Sequence, residues 1–231
     1  MILDGGMKPM AGLVLCGGRS SRMGEDKAAL RLGGQTLLER ALEQLAPLTP
    51  LRGAVWGQGA PPGTGLPRPV PGLVWAADAR PQGGPLEGLR AGWGALAQSV
   101  AERGLPEPWG LLVTAVDMPF LTTPWLAALA QGLDHHPAVC WSQGGVANPL
   151  AAAYRWGLRL RLEELALAGE RAPRKMLEAA GAAVWPVEQA ETLGRVKDLL
   201  AHDPQGSPNP LDDLDTPEDV RRAQPWLAKP E

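Results

Sequence analysis

The chain is poor in cysteine, in net positive charge and in long apolar runs. Cys16 and Cys140 are the two cysteines in 231 residues; they have no metal-ligand spacing and make no disulfide framework, which agrees with a reducing compartment. A formal net charge of -3 leaves no global positive field, so neither a nucleic-acid backbone nor an anionic membrane surface is an expected partner. Gly, Pro, Arg and Asp interrupt every apolar stretch before it approaches the roughly 18 residues that cross a bilayer. Met1 to Met10 carries Asp4 and Lys8 and lacks the apolar core of a secretion signal, so the expectation is a cytoplasmic protein. Histidine is scarce too: His135, His136 and His202 lie in polar, loop-like surroundings without ligand spacing and take no role.

What the chain does have is apolar residues at 45%, enough for a sizeable core, together with 29 glycines and 24 prolines, which belong in loops. Its length fits one domain, residues 1–231, with an ordered core over about 11–225. Short apolar runs alternate with helical patterns, the signature of an α/β fold in three layers, Rossmann-like, with a mostly parallel central sheet. Strands are expected at Gly12–Cys16, Ala54–Trp56, Leu73–Ala76 and Gly110–Val116, with weaker ones at Ala138–Ser142, Leu150–Tyr154 and Ala182–Val187. Thr36-Leu37-Leu38-Glu39 reads as a capping box opening a helix that Pro47 stops. Pro85 opens another helix, whose Leu86, Leu89, Trp93, Leu96 and Val100 share a face. Further helices are expected from Thr123-Pro124, near 156–168 and 173–181, and from Thr216-Pro217. Residues 57–72 read as a Gly/Pro loop.

The chemistry concentrates after the first strand, in Leu15-Cys16-Gly17-Gly18-Arg19-Ser20-Ser21-Arg22-Met23-Gly24-Glu25-Asp26-Lys27. Glycines there let backbone N–H groups approach anionic oxygens, while Arg22 and Lys27 supply charge, so the segment reads as a phosphate cradle. The alternative is a solvated basic turn. Its glycine spacing is not G-x-G-x-x-G, and Gly24 and Lys27 are not adjacent as a Walker A loop requires. Asp117 follows a fully apolar strand, at the sheet end where ligands of open α/β folds bind, and its hard oxygens suit Mg²⁺. Its other reading is a turn aspartate before Met118-Pro119.

This segment resembles the L-A-G-G-x-S-x-R-M-G-x-D-K signature of the molybdenum cofactor guanylyltransferases (the molybdopterin-guanine dinucleotide biosynthesis protein A family), within the nucleotidyltransferase superfamily. Asp78 with Gly84-Pro85-Leu86-Glu87-Gly88-Leu89, Val116-Asp117-Met118-Pro119-Phe120-Leu121 and Asp213-Leu214-Asp215-Thr216-Pro217-Glu218-Asp219 resemble later motifs in the same order. The resemblance implies transfer of GMP from GTP to the phosphate of molybdenum-molybdopterin, with Mg²⁺ as cofactor. It implies Arg22, Lys27 and Asp117 as catalytic residues, and Leu15, Cys16, Gly17, Gly18, Lys27, Asp78 and Asp117 around the nucleotide. Asp117 and Asp215 would hold the metal. Cofactor-biosynthesis proteins and molybdoenzyme chaperones are the further partners implied. The rival readings are a cytidylyltransferase on the same cofactor, a sugar-phosphate nucleotidyltransferase, and a nucleotide-binding protein without turnover.

Four features depart from the family pattern or are weakly tied to it. The family usually has Asn at both positions 213 and 215; here both are Asp, and each has the alternative of favouring the following helix N-terminus through its dipole. Asp213 is expected to point away from Asp215. The family tends to place a base-contacting Asn after the second strand, where this chain reads Trp56-Gly57-Gln58; Gln58 is the substitute and Trp56 a core residue. Gly144 to Leu150 resembles the acceptor side of the cleft, and Arg171, Arg174 and Lys175 divide between an acceptor-phosphate role and plain surface charge.

Overall fold

The computed structural model describes residues 8–16, 27–56, 72–77, 83–192 and 208–227. Strand β1 (Met10–Leu15) is buried along its whole length. A two-residue hairpin follows, β2 (Arg31–Leu32) and β3 (Gln35–Thr36), turning at Gly33 and Gly34, both at positive φ. Helix α1 (Leu37–Leu45) begins where the capping box places it: Glu39 N–H donates to Thr36 Oγ1 at 3.1 Å, and Thr36 N–H donates to the Glu39 carboxylate at 2.9 Å. Next come β4 (Leu51–Trp56), β5 (Val74–Ala77), α2 (Gly84–Glu102), β6 (Gly110–Ala115), α3 (Thr123–Gly132), β7 (Ala138–Gln143) and β8 (Val146–Arg155). Helices α4 (Arg159–Leu167) and α5 (Arg174–Ala180), strand β9 (Ala183–Pro186) and helix α6 (Pro217–Leu227) complete the described elements.

Seven strands form one sheet in the order β5-β4-β1-β6-β8-β7-β9. Its ladders are parallel except that β8 runs against both of its neighbours, β6 and β7. The mostly parallel sheet is therefore as expected, and β8 supplies the exception. Alternation along the strands divides the core in two. Met10 and Val14 of β1, Leu112 of β6 and Trp141 of β7 face the layer formed by α1, α3 and α6. Leu13 and Leu15 of β1, Val113 of β6 and Cys140 of β7 face α2, α4 and α5.

The five apolar residues assigned to one face of α2 are all buried, from Leu86 to Val100. Each large side chain so buried contributes about 1.5–3 kcal/mol of transfer free energy. The helix sits so close to the sheet that a Cβ on Gly92 would lie 2.4 Å from Val55 Cγ2 and 2.6 Å from Leu13 Cδ1. Any side chain at that position would lift α2 off β1 and β4. Among the described residues no helix is long and apolar enough to cross a membrane.

Candidate active site

Strands β1 and β6 lie side by side and parallel, Leu15 opposite Ala115, so the segments that leave them emerge together. Beyond the end of β1, Cys16 N–H donates to Val55 O of β4 at 2.8 Å, and Val116 N–H, after β6, donates to Leu15 O at 3.0 Å. The chain then turns at Asp117, with Met118 N–H donating to Ala115 O, while Val116, Met118, Phe120 and Leu121 are buried beneath it. Burial on every side leaves Asp117 as the part of the turn with a charge to project.

Lys27 opens a short 3-10 turn over Lys27–Ala29, held by buried Ala28 and by the Leu30 N–H bond to Lys27 O. Asp215 arrives from the far end of the chain. Buried Leu211 and Leu214 anchor its segment, and Leu214 N–H donates to Asp117 O at 3.0 Å. Thr216 and Asp219 then cap α6 reciprocally, Thr216 N–H to Asp219 Oδ2 at 2.8 Å and Asp219 N–H to Thr216 Oγ1 at 3.2 Å.

These three segments converge on one ion cluster. Lys27 Nζ donates to Asp117 Oδ2 at 3.0 Å and to Asp215 Oδ1 at 2.6 Å. The lysine side chain is 12% exposed, Asp117 27% and Asp215 47%. Burial, the largest single influence on the ammonium, pulls its pKa down, and the hydrogen bonds and charges of Asp215 and Asp117 more than reverse this, leaving it above 10.5. Lys27 is therefore a permanent cation here.

Lys27, Asp117 and Asp215 are thus brought together as expected, although the lysine touches the two carboxylates rather than standing apart from them for a triphosphate. Leu15, the last residue of β1, and Cys16 after it have buried side chains. Gly17, Gly18, Arg22, Gln58, Asp78 and His202 fall outside the described residues. Trp56 is a core residue, buried in the layer against α1 and tilted on Trp75 with ring centroids 5.3 Å apart. Asp213 requires a correction. Residues two apart on extended chain share a side, and the Asp213 carboxyl lies within electrostatic reach of Asp215, Asp117 and Lys27; burial first, then the two carboxylates, holds it above its ordinary value.

An open groove of about 250 Å³ is lined by Gln143, Val146, Ala147, Asn148, Pro149 and Leu211. Its Asn148 reaches the residue that follows Asp117, Nδ2 donating to Met118 Sδ at 3.4 Å while Oδ1 accepts from Leu150 N–H. Arg171 comes near the start of α2: a Cβ on Gly84, which has φ +74, would lie 3.3 Å from Arg171 O. Lys175 is engaged by Glu178 at 2.6 Å on the surface.

The carboxylates of Asp117 and Asp215 are hard oxygen donors that reach one point, now taken by Nζ. A Mg²⁺-type ion is commonly held by one or two carboxylates with substrate phosphates supplying the rest, and the pair fits that chemistry. Among the described residues no three His, Cys, Asp or Glu side chains gather to enclose a metal by themselves.

The model of the MobA-like NTP transferase domain matches residues 12–184, from within β1 to the first half of β9. The chain belongs to that family. Among MobA-like relatives, a probable molybdenum cofactor guanylyltransferase of Mycobacterium tuberculosis is 37% identical over 179 residues, 75% of this chain and 82% of that one. A probable molybdenum cofactor guanylyltransferase of Chloroflexus aggregans is 33% identical over 224 residues, 94% and 95% of the two chains. The fold is shared with the solved molybdopterin-guanine dinucleotide biosynthesis protein A of Archaeoglobus fulgidus (TM-score 0.60, 23% identity, 94% and 98% covered). It is shared as well with a manganese complex of Rv0371c from Mycobacterium tuberculosis (TM-score 0.58, 16% identity, 94% and 98% covered). A 4-diphosphocytidyl-2C-methyl-D-erythritol synthase of Anaerococcus prevotii matches with TM-score 0.65 at 13% identity, 96% and 97% covered.

Proposed function

We propose that this nucleotidyltransferase moves GMP from GTP to the phosphate of molybdenum-molybdopterin, giving the guanine dinucleotide form of the cofactor and pyrophosphate. The observation that carries the reading is the Lys27–Asp117–Asp215 cluster at the carboxyl ends of β1 and β6, in a chain about one-third identical to proteins named for that activity. An acceptor phosphate oxygen bonds to the α-phosphorus of GTP as the bond from that phosphorus to the β-phosphate oxygen breaks, and pyrophosphate leaves. No protein nucleophile is required; the enzyme positions and neutralises.

Asp117 and Asp215 are the residues that hold Mg²⁺, which when bound supplies charge neutralisation at the reacting phosphates. Lys27, with Arg22 from the glycine-rich loop, binds the triphosphate and offsets the charge that develops on the leaving group. The groove beside Asn148 receives the pterin side of the acceptor, next to Asp117 through Met118.

The test is nucleotide binding with GTP, CTP, ATP and UTP, followed by pyrophosphate release on mixing GTP, Mg²⁺ and the acceptor. GTP is expected to bind at least tenfold more tightly than CTP, about 1.4 kcal/mol. Equal affinity, or preference for CTP, overturns the guanylyl assignment and leaves the fold as it stands.

A further inference from the structure

We infer that Lys27 is the protein's internal stand-in for the divalent cation: without nucleotide its ammonium occupies the point shared by Asp117 and Asp215, and the metal gains those carboxylates only as a triphosphate draws the lysine away. The inference rests on the reading above, in which Asp117 and Asp215 are the metal-holding pair.

Geometry carries it. One nitrogen takes an oxygen from each carboxylate, at 3.0 and 2.6 Å, so a cation that touched both would compete for the same position and be repelled by the charge already there. Lysine suits exchange: it is a compact point charge on a flexible four-carbon stem, with none of the bidentate geometry that fixes an arginine. Its backbone is held separately, through buried Ala28 and the bond from Leu30 N–H to Lys27 O, so the side chain can swing without unfolding the turn. The remaining acid in reach, Asp213, adds negative charge that favours a cation of either kind. Metal alone should therefore bind poorly to the native protein and bind well once nucleotide is present, which couples the two ligands without a moving domain.

The decisive measurement is Mn²⁺ binding to the full chain in the absence of nucleotide, read from the electron paramagnetic resonance signal of the free ion. Lys27→Met keeps the length of the stem and removes the charge. It should bind Mn²⁺ at least tenfold more tightly than the native protein, while its affinity for GTP in EDTA falls at least tenfold. Adding Asp117→Asn to Lys27→Met should abolish the gain. Unchanged or weaker Mn²⁺ binding by Lys27→Met overturns the inference, and so does a gain that survives Asp117→Asn. Lys27→Gln is read in the same way, so a folding defect peculiar to the methionine variant leaves the question decidable. Thermal melting gives an independent readout: Lys27→Met should be stabilised by Mn²⁺ alone and the native protein hardly at all. The Mn²⁺ titrations and melts involve neither base nor acceptor, so loss of the GTP preference would sink the proposed function alone. An unchanged Mn²⁺ affinity in both lysine variants, with GTP still preferred over CTP by the native protein, would sink only this inference.

Discussion

Two part-buried clusters in this molecule have one cation between two carboxylates, and they behave as opposites. On α2, Arg90 grips Glu87 through two bonds, at 2.9 and 2.7 Å, and reaches Glu163 on α4 at 3.4 Å. Glu87 and Arg90 are neighbours on one helix turn, Glu87 is only 4% exposed, and the guanidinium fork matches the carboxylate plane. At the carboxyl edge of the sheet, Lys27 meets Asp117 and Asp215, residues 90 and 188 positions away, through single bonds to a point charge. The first cluster fastens a helix pair. In the second, acids from distant segments are brought together on one cation by single bonds, the arrangement that the exchange proposed above requires.

Variants that damage each cluster should fail in different assays. The largest effect is expected at the sheet edge: Asp117→Ala should lower the rate of pyrophosphate release by about a thousandfold or more, at every practicable Mg²⁺ concentration, with a small change in melting temperature. A comparable loss of thermal stability would place Asp117 among structural residues. Arg90→Ala is the converse. Removing the two charge-assisted bonds that Arg90 makes to buried Glu87 costs about 1–3 kcal/mol, and for a chain of this size roughly 2–4 °C of melting temperature goes with each. Transfer per folded molecule should be unchanged, and a large loss of turnover would erase the contrast between the clusters.

Smaller effects sharpen the account of the acidic segment. Asp215→Asn keeps an oxygen and removes a charge, so it should stay active but require several-fold more Mg²⁺ for half-maximal rate. Asp213→Asn, which does not touch Lys27, should shift that requirement less; the reverse order would exchange the roles of the two. Asp213 also predicts a pH effect. Burial and the neighbouring carboxylates hold its pKa up, so the folded protein binds that proton more tightly than the unfolded chain does. The associated stability is full below the ordinary value of 3.8 and is lost as pH rises through the folded value. Asp213→Asn escapes this loss, so it should melt slightly higher than the native protein at pH 7, with the advantage fading in acid.

Much of this architecture is written in local pattern. The Thr36/Glu39 capping box and the buried face of α2 need only neighbours in sequence to form, and both are legible there. Asp117 is legible because an apolar strand leaves it nowhere but the sheet edge. The direction of β8 is not: Ala151 to Tyr154 is buried on both faces, so its run of small residues has no period that says which way it runs. The β2–β3 hairpin has its signal in Gly33-Gly34, but strands of two residues give too little alternation to frame it. Asp213 was readable from the two-residue period of an extended chain. The contact of Lys27 with both acids was not, because no spacing in sequence tells which charges a folded lysine will meet when its own ligand is elsewhere.

The bond from Leu214 N–H to Asp117 O has a consequence for the order in which the protein is made. Synthesis delivers β1 first, and β1 must wait for β6 before its second edge is paired. By the time β9 emerges the sheet is complete, with Lys27 and Asp117 already in place. Asp215 and its tether come later still. A chain ended after β9 would hold every described strand of the sheet and a lysine neutralised on one side only, so the second carboxylate of the cluster depends on a segment translated after the sheet.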